Sequence, residues 1–228
     1  QAVALKPEFA EAHSNLGVTL QELGKLNESE VSLRQAIAIK PDFAKAHYNL
    51  GNTLNKAGKL EEAVARHRLA IEIKPDFVEA HSNLGVTLKN LGRFEEAVAI
   101  FRQAIALEPD YAKAYSNLGI TLQEVGRLDD AEASLRQAIA LKPDFVEAHR
   151  NLAATKKFSS KDEQICQLEG LYRDPTISEH ERCLICFSLA KASDDLGDLA
   201  NAFQLYAEGN ALRKKKLRYD KSQDTDLF

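Results

Sequence analysis

The stretch that decides the fold is Asp76 to Pro109, DFVEAHSNLGVTLKNLGRFEEAVAIFRQAIALEP. Leu84, Leu88 and Leu91 recur at helical spacing in its first half, and Ala97, Phe101, Ala104 and Ile105 do so in its second. Gly92 stands between the two halves, where a helix needs a residue that tolerates a left-handed turn. Asp76 is expected to cap the first helix, with Glu79 three residues on. Glu95 and Glu96 open the second helix, where acidic groups suit the positive helix end. Pro109 keeps the chain from continuing as helix.

The unit repeats. Prolines fall at Pro7, Pro41, Pro75, Pro109 and Pro143, a constant step of 34 residues. In phase with them run Leu16, Leu50, Leu84, Leu118 and Leu152; Gly17, Gly51, Gly85 and Gly119; Gly24, Gly58, Gly92 and Gly126; and Ala36, Ala70, Ala104 and Ala138. A single helix pair cannot bury its own apolar stripe, and stacking successive pairs does so. The fold expected is therefore all-α, a right-handed superhelical solenoid of helix–turn–helix repeats (an alpha-alpha superhelix). Four regular repeats fill 10–145, preceded by the remnant of a truncated repeat at 1–9. A degenerate fifth follows over 146–174, where Ala153 replaces glycine and Lys156–Ser160 breaks the apolar spacing. Here Ser160 and Glu163 have capping-box spacing. A sixth occupies 175–216, opened by Ser178 and Glu181, and an exit helix and polar tail take 217–228.

The pattern His81, Leu84, Gly85, Leu88, Ala97, Phe101, Ala104 and Pro109 resembles the tetratricopeptide repeat signature. It departs where that family prefers a large aromatic: His13, His47, His81 and His149 hold the place, with Tyr115 in one unit, so lighter packing between helices is expected. The resemblance implies first helices lining a concave groove that binds protein or peptide. The column Asn15, Asn49, Asn83, Asn117 and Asn151 looks into that groove and resembles the asparagine ladder of O-linked N-acetylglucosamine transferase repeats. Its amides have donors and an acceptor for an extended peptide backbone, and equally for neighbouring repeats. Tyr48, Asn52, Lys89 and Gln123 belong to adjoining groove columns, as do Gln21, Asn55 and Val86. The lysine and arginine of the carboxylate clamp are missing: Tyr48 and Asn117 stand there. Leu171–Pro175, Asp195–Asp198 and Glu208–Arg213 resemble the segment that joins such repeats to a sulfotransferase domain in bacterial two-domain proteins. That resemblance implies an enzyme parent whose catalytic residues lie outside this chain.

Composition points the same way. The 228 residues are 44% hydrophobic with a net charge of −4, which gives no general attraction to nucleic acid; the one basic cluster is Arg213, Lys214, Lys215, Lys216 and Arg218. No apolar run approaches a membrane span, and Gln1–Pro7 has no signal-peptide layout. Three cysteines make no disulfide framework. Cys183 and Cys186 with His180 have poor geometry for zinc and read as core positions, so no metal or cofactor is expected. No phosphate loop or nucleophile elbow occurs, and paired carboxylates such as Glu61–Glu62 read as solvated helix starts. The expectation is a cytoplasmic, non-catalytic protein- or peptide-binding module, with end-to-end self-association possible. The alternative is a spacer or self-assembly scaffold with an empty groove.

Overall fold

The structure, a computed structural model, describes residues 9–217. The leading remnant and the tail expected at the two ends fall, apart from Phe9 and Leu217, outside these residues. Among the described residues every regular element is a helix: α1 Ala10–Glu22, α2 Leu26–Ile39, α3 Ala44–Lys56, α4 Leu60–Ile73, α5 Val78–Asn90, α6 Phe94–Leu107, α7 Ala112–Glu124, α8 Leu128–Leu141, α9 Val146–Thr155, α10 Glu163–Arg173, α11 Glu179–Asp195 and α12 Leu199–Leu217. They form two compact units that divide between Val125 and Gly126.

In the first unit the hairpins α1–α2, α3–α4 and α5–α6 stack one on the next, followed by α7. Each hairpin is closed by a glycine in the left-handed region, such as Gly92 at φ 73°. The Arg93 and Gly92 amides then donate to Leu88 and Lys89 carbonyls, both at 2.9 Å, and so satisfy the end of α5. Close approach within a hairpin rests on the other glycine column. A Cβ on Gly85 would lie 2.6 Å from the Phe101 ring, so any side chain there would push the two helices apart. The second unit replaces that glycine by Ala153 and Ala190, both buried, and so leaves room for a methyl group.

Two capping expectations are corrected. Asp76 does not cap α5; the cap residue is Phe77, whose side chain makes no capping bond. The preceding turn does that work through its backbone: the Phe77 carbonyl accepts from Ala80 and His81 amides at 2.9 and 3.2 Å. Ser160 likewise does not open α10, because Asp162 accepts from the Ile165 amide at 3.1 Å. The Ser178–Glu181 capping box opens α11 as read.

The second unit has its own core, built around Phe158 with Ile165, Leu168, Ile185 and Leu189. The Lys156–Ser160 stretch that breaks the repeat spacing is what delivers Phe158. The ring lies under the ammonium groups of Lys156 at 4.5 Å and Lys191 at 5.3 Å, and the Phe158 amide donates to the Asp195 carboxylate at 3.1 Å. Arg213 and Lys214 stand where the regular repeats have Lys–Pro or Glu–Pro, and without that proline α12 runs unbroken from Leu199 to Leu217.

Candidate functional site

The two layers of the first unit are held differently, and that creates the candidate site. First helices pack directly on one another, α1 on α3, α3 on α5 and α5 on α7. Second helices reach across by long ion pairs: Arg34–Glu62 at 3.1 Å, Lys59–Glu30 at 2.9 Å and Arg68–Glu96 at 3.3 Å. Lys59 and Arg34 bound to Glu30 hold its carboxyl below the ordinary value. The closer spacing of the first helices makes theirs the inner, concave face of this unit.

Two polar tracks run along it. The Asn49 amide donates to Ser14 Oγ at 3.3 Å, and the Asn83 amide donates to Tyr48 Oη at 3.0 Å and Asn52 Oδ1 at 2.7 Å. One turn further, Gln21 donates to Thr53 Oγ1 at 3.0 Å and Asn55 to Thr87 Oγ1 at 2.6 Å. Both threonines also donate back to their own helix, at the carbonyls of Asn49 and Asn83. Sequence reasoning missed the threonine column Thr19, Thr53, Thr87 and Thr121, although it keeps the same step of 34 residues and that period could have found it.

Gln21, Asn52, Asn55, Lys56, Asn83 and Val86 line an open cleft of about 290 Å³ on this face. Because Asn83 donates to Asn52 Oδ1, the Asn52 NH₂ and the Asn83 Oδ1 are the groups left over. Among the described residues nothing accepts from the one or donates to the other. A donor and an acceptor side by side match the C=O and N–H of one extended peptide residue.

The other expected site residues are placed as follows. Asn15 is exposed on α1 and Asn49 is buried, at 8% exposure. Asn117 is half-buried, and its buried amide nitrogen has no partner among the described residues. Asn151 lies in the second unit on α9, where its Oδ1 accepts from Arg150 at 3.0 Å. Tyr48 packs against Phe77 with ring centres 4.9 Å apart, so its hydroxyl contributes to the track and its ring to the core. Lys89 and Gln123 are half-buried on α5 and α7 and do not line the cleft. Lys56 does, and sequence reading passed over it because its column (Glu22, Lys56, Asn90, Glu124) carries no common residue type.

The histidines in the aromatic place do more than pack lightly. His47, His81 and His149 each put Nε2 within 2.9 or 3.0 Å of a proline carbonyl, Pro41, Pro75 and Pro143. A carbonyl only accepts, so Nε2 carries the proton and the ring locks the turn before each first helix. Burial lowers the His149 pKa, against the opposing pull of the Pro143 carbonyl.

Cys183 and Cys186 are buried, and the Cys183 thiol donates to the Gly209 carbonyl at 3.3 Å. Burial pushes the Cys186 thiol up to about 12, which keeps it protonated at neutral pH. Among the described residues no group of three or more His, Cys, Asp or Glu is placed to hold a metal ion. No described helix is long and apolar enough to cross a membrane.

No curated protein matches the sequence. Among solved structures, similar folds include PilW, described as a widely conserved type IV pilus biogenesis factor (23% identity, 96% of this chain and 98% of that one, TM-score 0.71). A thermophilic TPR protein of Thermus thermophilus is another (24% identity, 79% and 98%, TM-score 0.63). A third is YrrB, described as a TPR protein with an unusual peptide-binding site (20% identity, 89% and 94%, TM-score 0.59). A family model described as "Tetratricopeptide repeat" matches residues 76–144, and one described as "TPR repeat" matches 20–58 and 51–92. With its period of 34 residues, its glycine-closed helical hairpins and these matches running from residue 20 to 144, the chain belongs to the tetratricopeptide repeat family.

Proposed function

We propose that the chain is a protein-interaction module that binds an extended peptide segment along the inner face of its first unit. The observation that carries the reading is the Asn52–Asn83 pair, a free donor beside a free acceptor in the cleft. Asn49 and the second polar track, Gln21–Thr53 and Asn55–Thr87, serve chiefly to tie repeats together and keep that face in register. Backbone pairing of this kind reads little of the ligand's sequence, and Lys56 and Val86 add one charged and one apolar contact. The segment resembling a sulfotransferase linker fits an array that recruits protein substrate for an adjoining catalytic domain.

The test uses peptides selected from a random-sequence display library against the full chain. Each hydrogen bond is worth about 0.5–1.5 kcal/mol, so Asn52→Ala with Asn83→Ala should weaken a selected peptide by about tenfold. Melting measured on the same variant separates the two roles of the amides. A folded double variant that binds as tightly as the parent removes the pair from the mechanism.

The competing reading is a scaffold with an empty groove, which the inter-repeat use of the Asn49 and Asn83 donors favours. It expects no selected peptide to be displaced by these substitutions, and a lower melting temperature alone. End-to-end association stays within the proposal, and a strict monomer in sedimentation at high concentration removes it.

A further inference from the structure

The second unit holds a larger cavity, about 780 Å³, between α9, α11 and the end of α12. Its volume is in the range of sites that take ligands or peptide side chains. The floor is apolar: Cys183, Leu184 and Phe187 from α11, with Leu212 from α12, and the exposed Leu217 stands at its edge. The rim is basic. Arg150, His180, Arg213, Lys215 and Lys216 surround it, and Glu179 is the one carboxylate among them. Lys215 pairs with Glu179, and Lys216 lies 3.1 Å from His180 Nδ1. Among the described residues Arg150 donates only to the Asn151 amide oxygen, and Arg213 has no carboxylate partner. Two guanidinium groups thus stand uncompensated over an apolar floor, in a chain whose net charge is −4. The unbroken course of α12 creates the site, because Lys215, Lys216 and Leu217 lie beyond the point where the regular repeats turn.

We propose that this cavity is a second recognition site, taking a peptide segment in which carboxylates flank bulky apolar side chains. The apolar residue fills the floor, and the flanking carboxylates meet Arg150 and Arg213, each able to grip a carboxylate through two N–H groups. A phosphate backbone would satisfy the rim and leave the floor unused, so peptide is the better match. The site is separate from the cleft of the first unit, and its ligand differs in being read through charge and side chain.

The experiment is fluorescence anisotropy with the full chain and a labelled short peptide of alternating Glu and Leu or Phe. Its controls are the same peptide with Glu replaced by Gln and with Leu and Phe replaced by Ser. The acidic apolar peptide should bind at least about tenfold tighter than either control, and more weakly as salt rises. Arg150→Gln with Arg213→Glu, two exposed positions, should remove about tenfold or more of that affinity with melting unchanged. Phe187→Ala should weaken binding as well, and Asn83→Ala should not. Equal binding of the controls, equal competition by a single-stranded oligonucleotide, or an unaltered affinity in the arginine double variant would overturn the proposal. So would sedimentation in which those arginine substitutions dissolve a dimer, since the occupant would then be a second copy of the chain.

Discussion

At the scale of single residues, His67 is the departure with the clearest energetic consequence. The column it occupies reads Leu33, His67, Phe101 and Leu135, and each of these side chains is fully buried. Among the described residues neither ring nitrogen of His67 has a hydrogen-bond partner, and burial lowers its pKa to about 4. Above pH ~6.5 the ring is neutral whether the chain is folded or not, and it adds no pH dependence. Below that value the unfolded chain takes up a proton that the folded chain refuses, so stability falls by about 1.4 kcal/mol per pH unit until about pH 4. His67→Leu should raise stability by about 1–3 kcal/mol at pH 7, since it removes an unsatisfied polar group from a site that neighbouring repeats fill with carbon. Its advantage over the parent should widen by about 2 kcal/mol at pH 5. Urea denaturation at the two pH values checks this, and an equal advantage at both would count against it. The position was legible as core from its phase in the repeat. Its lack of partners was not, because the histidines of the other column find proline carbonyls and nothing in the residue type separates the two cases.

At the scale of elements, α10, α11 and α12 are joined at one carboxylate. Glu208 accepts from Tyr172 Oη at 2.5 Å and from Arg182 Nε at 2.6 Å, and the Arg182 guanidinium lies 4.3 Å from the Tyr172 ring centre. Burial alone would raise the Glu208 pKa, but the bonds from Tyr172 and Arg182 outweigh it and the net shift is downward. Its contribution is therefore present above the ordinary carboxylate value and lost as pH falls through the lowered folded value. Both partners are about one-third exposed, which screens the pair, so Glu208→Gln should cost only about 1 kcal/mol in thermal or urea unfolding. No loss at neutral pH would show that the three helices hold by apolar contact alone. The sequence did not disclose this junction. Its members are 36 and 26 residues apart, off the repeat step that made the hairpins of 10–145 readable. The same is true of Phe158, which looked like a break in the pattern and is the centre of a core. Of the inner-face residues, the columns were readable from their period, whereas the direction in which each amide points is set by a neighbour one repeat away.

At the scale of the whole molecule, each unit is assembled from contacts between near neighbours, and damage should stay local. Phe158→Ala removes a fully buried ring and should cost about 3–5 kcal/mol. Hydrogen exchange should then quicken across α9 and α11 while α3 to α6 keep their protection. A uniform loss of protection would mean that the chain unfolds as one body. The same locality gives the first unit a directional compliance. Its inner layer is joined by neutral amide and hydroxyl bonds, which dissolved ions barely touch, and its outer layer by exposed ion pairs, which they screen. Added salt thus slackens one surface of the unit and leaves the other taut. It behaves as a leaf spring with a fixed inner blade, softening toward changes of curvature while the length along its inner surface stays constant.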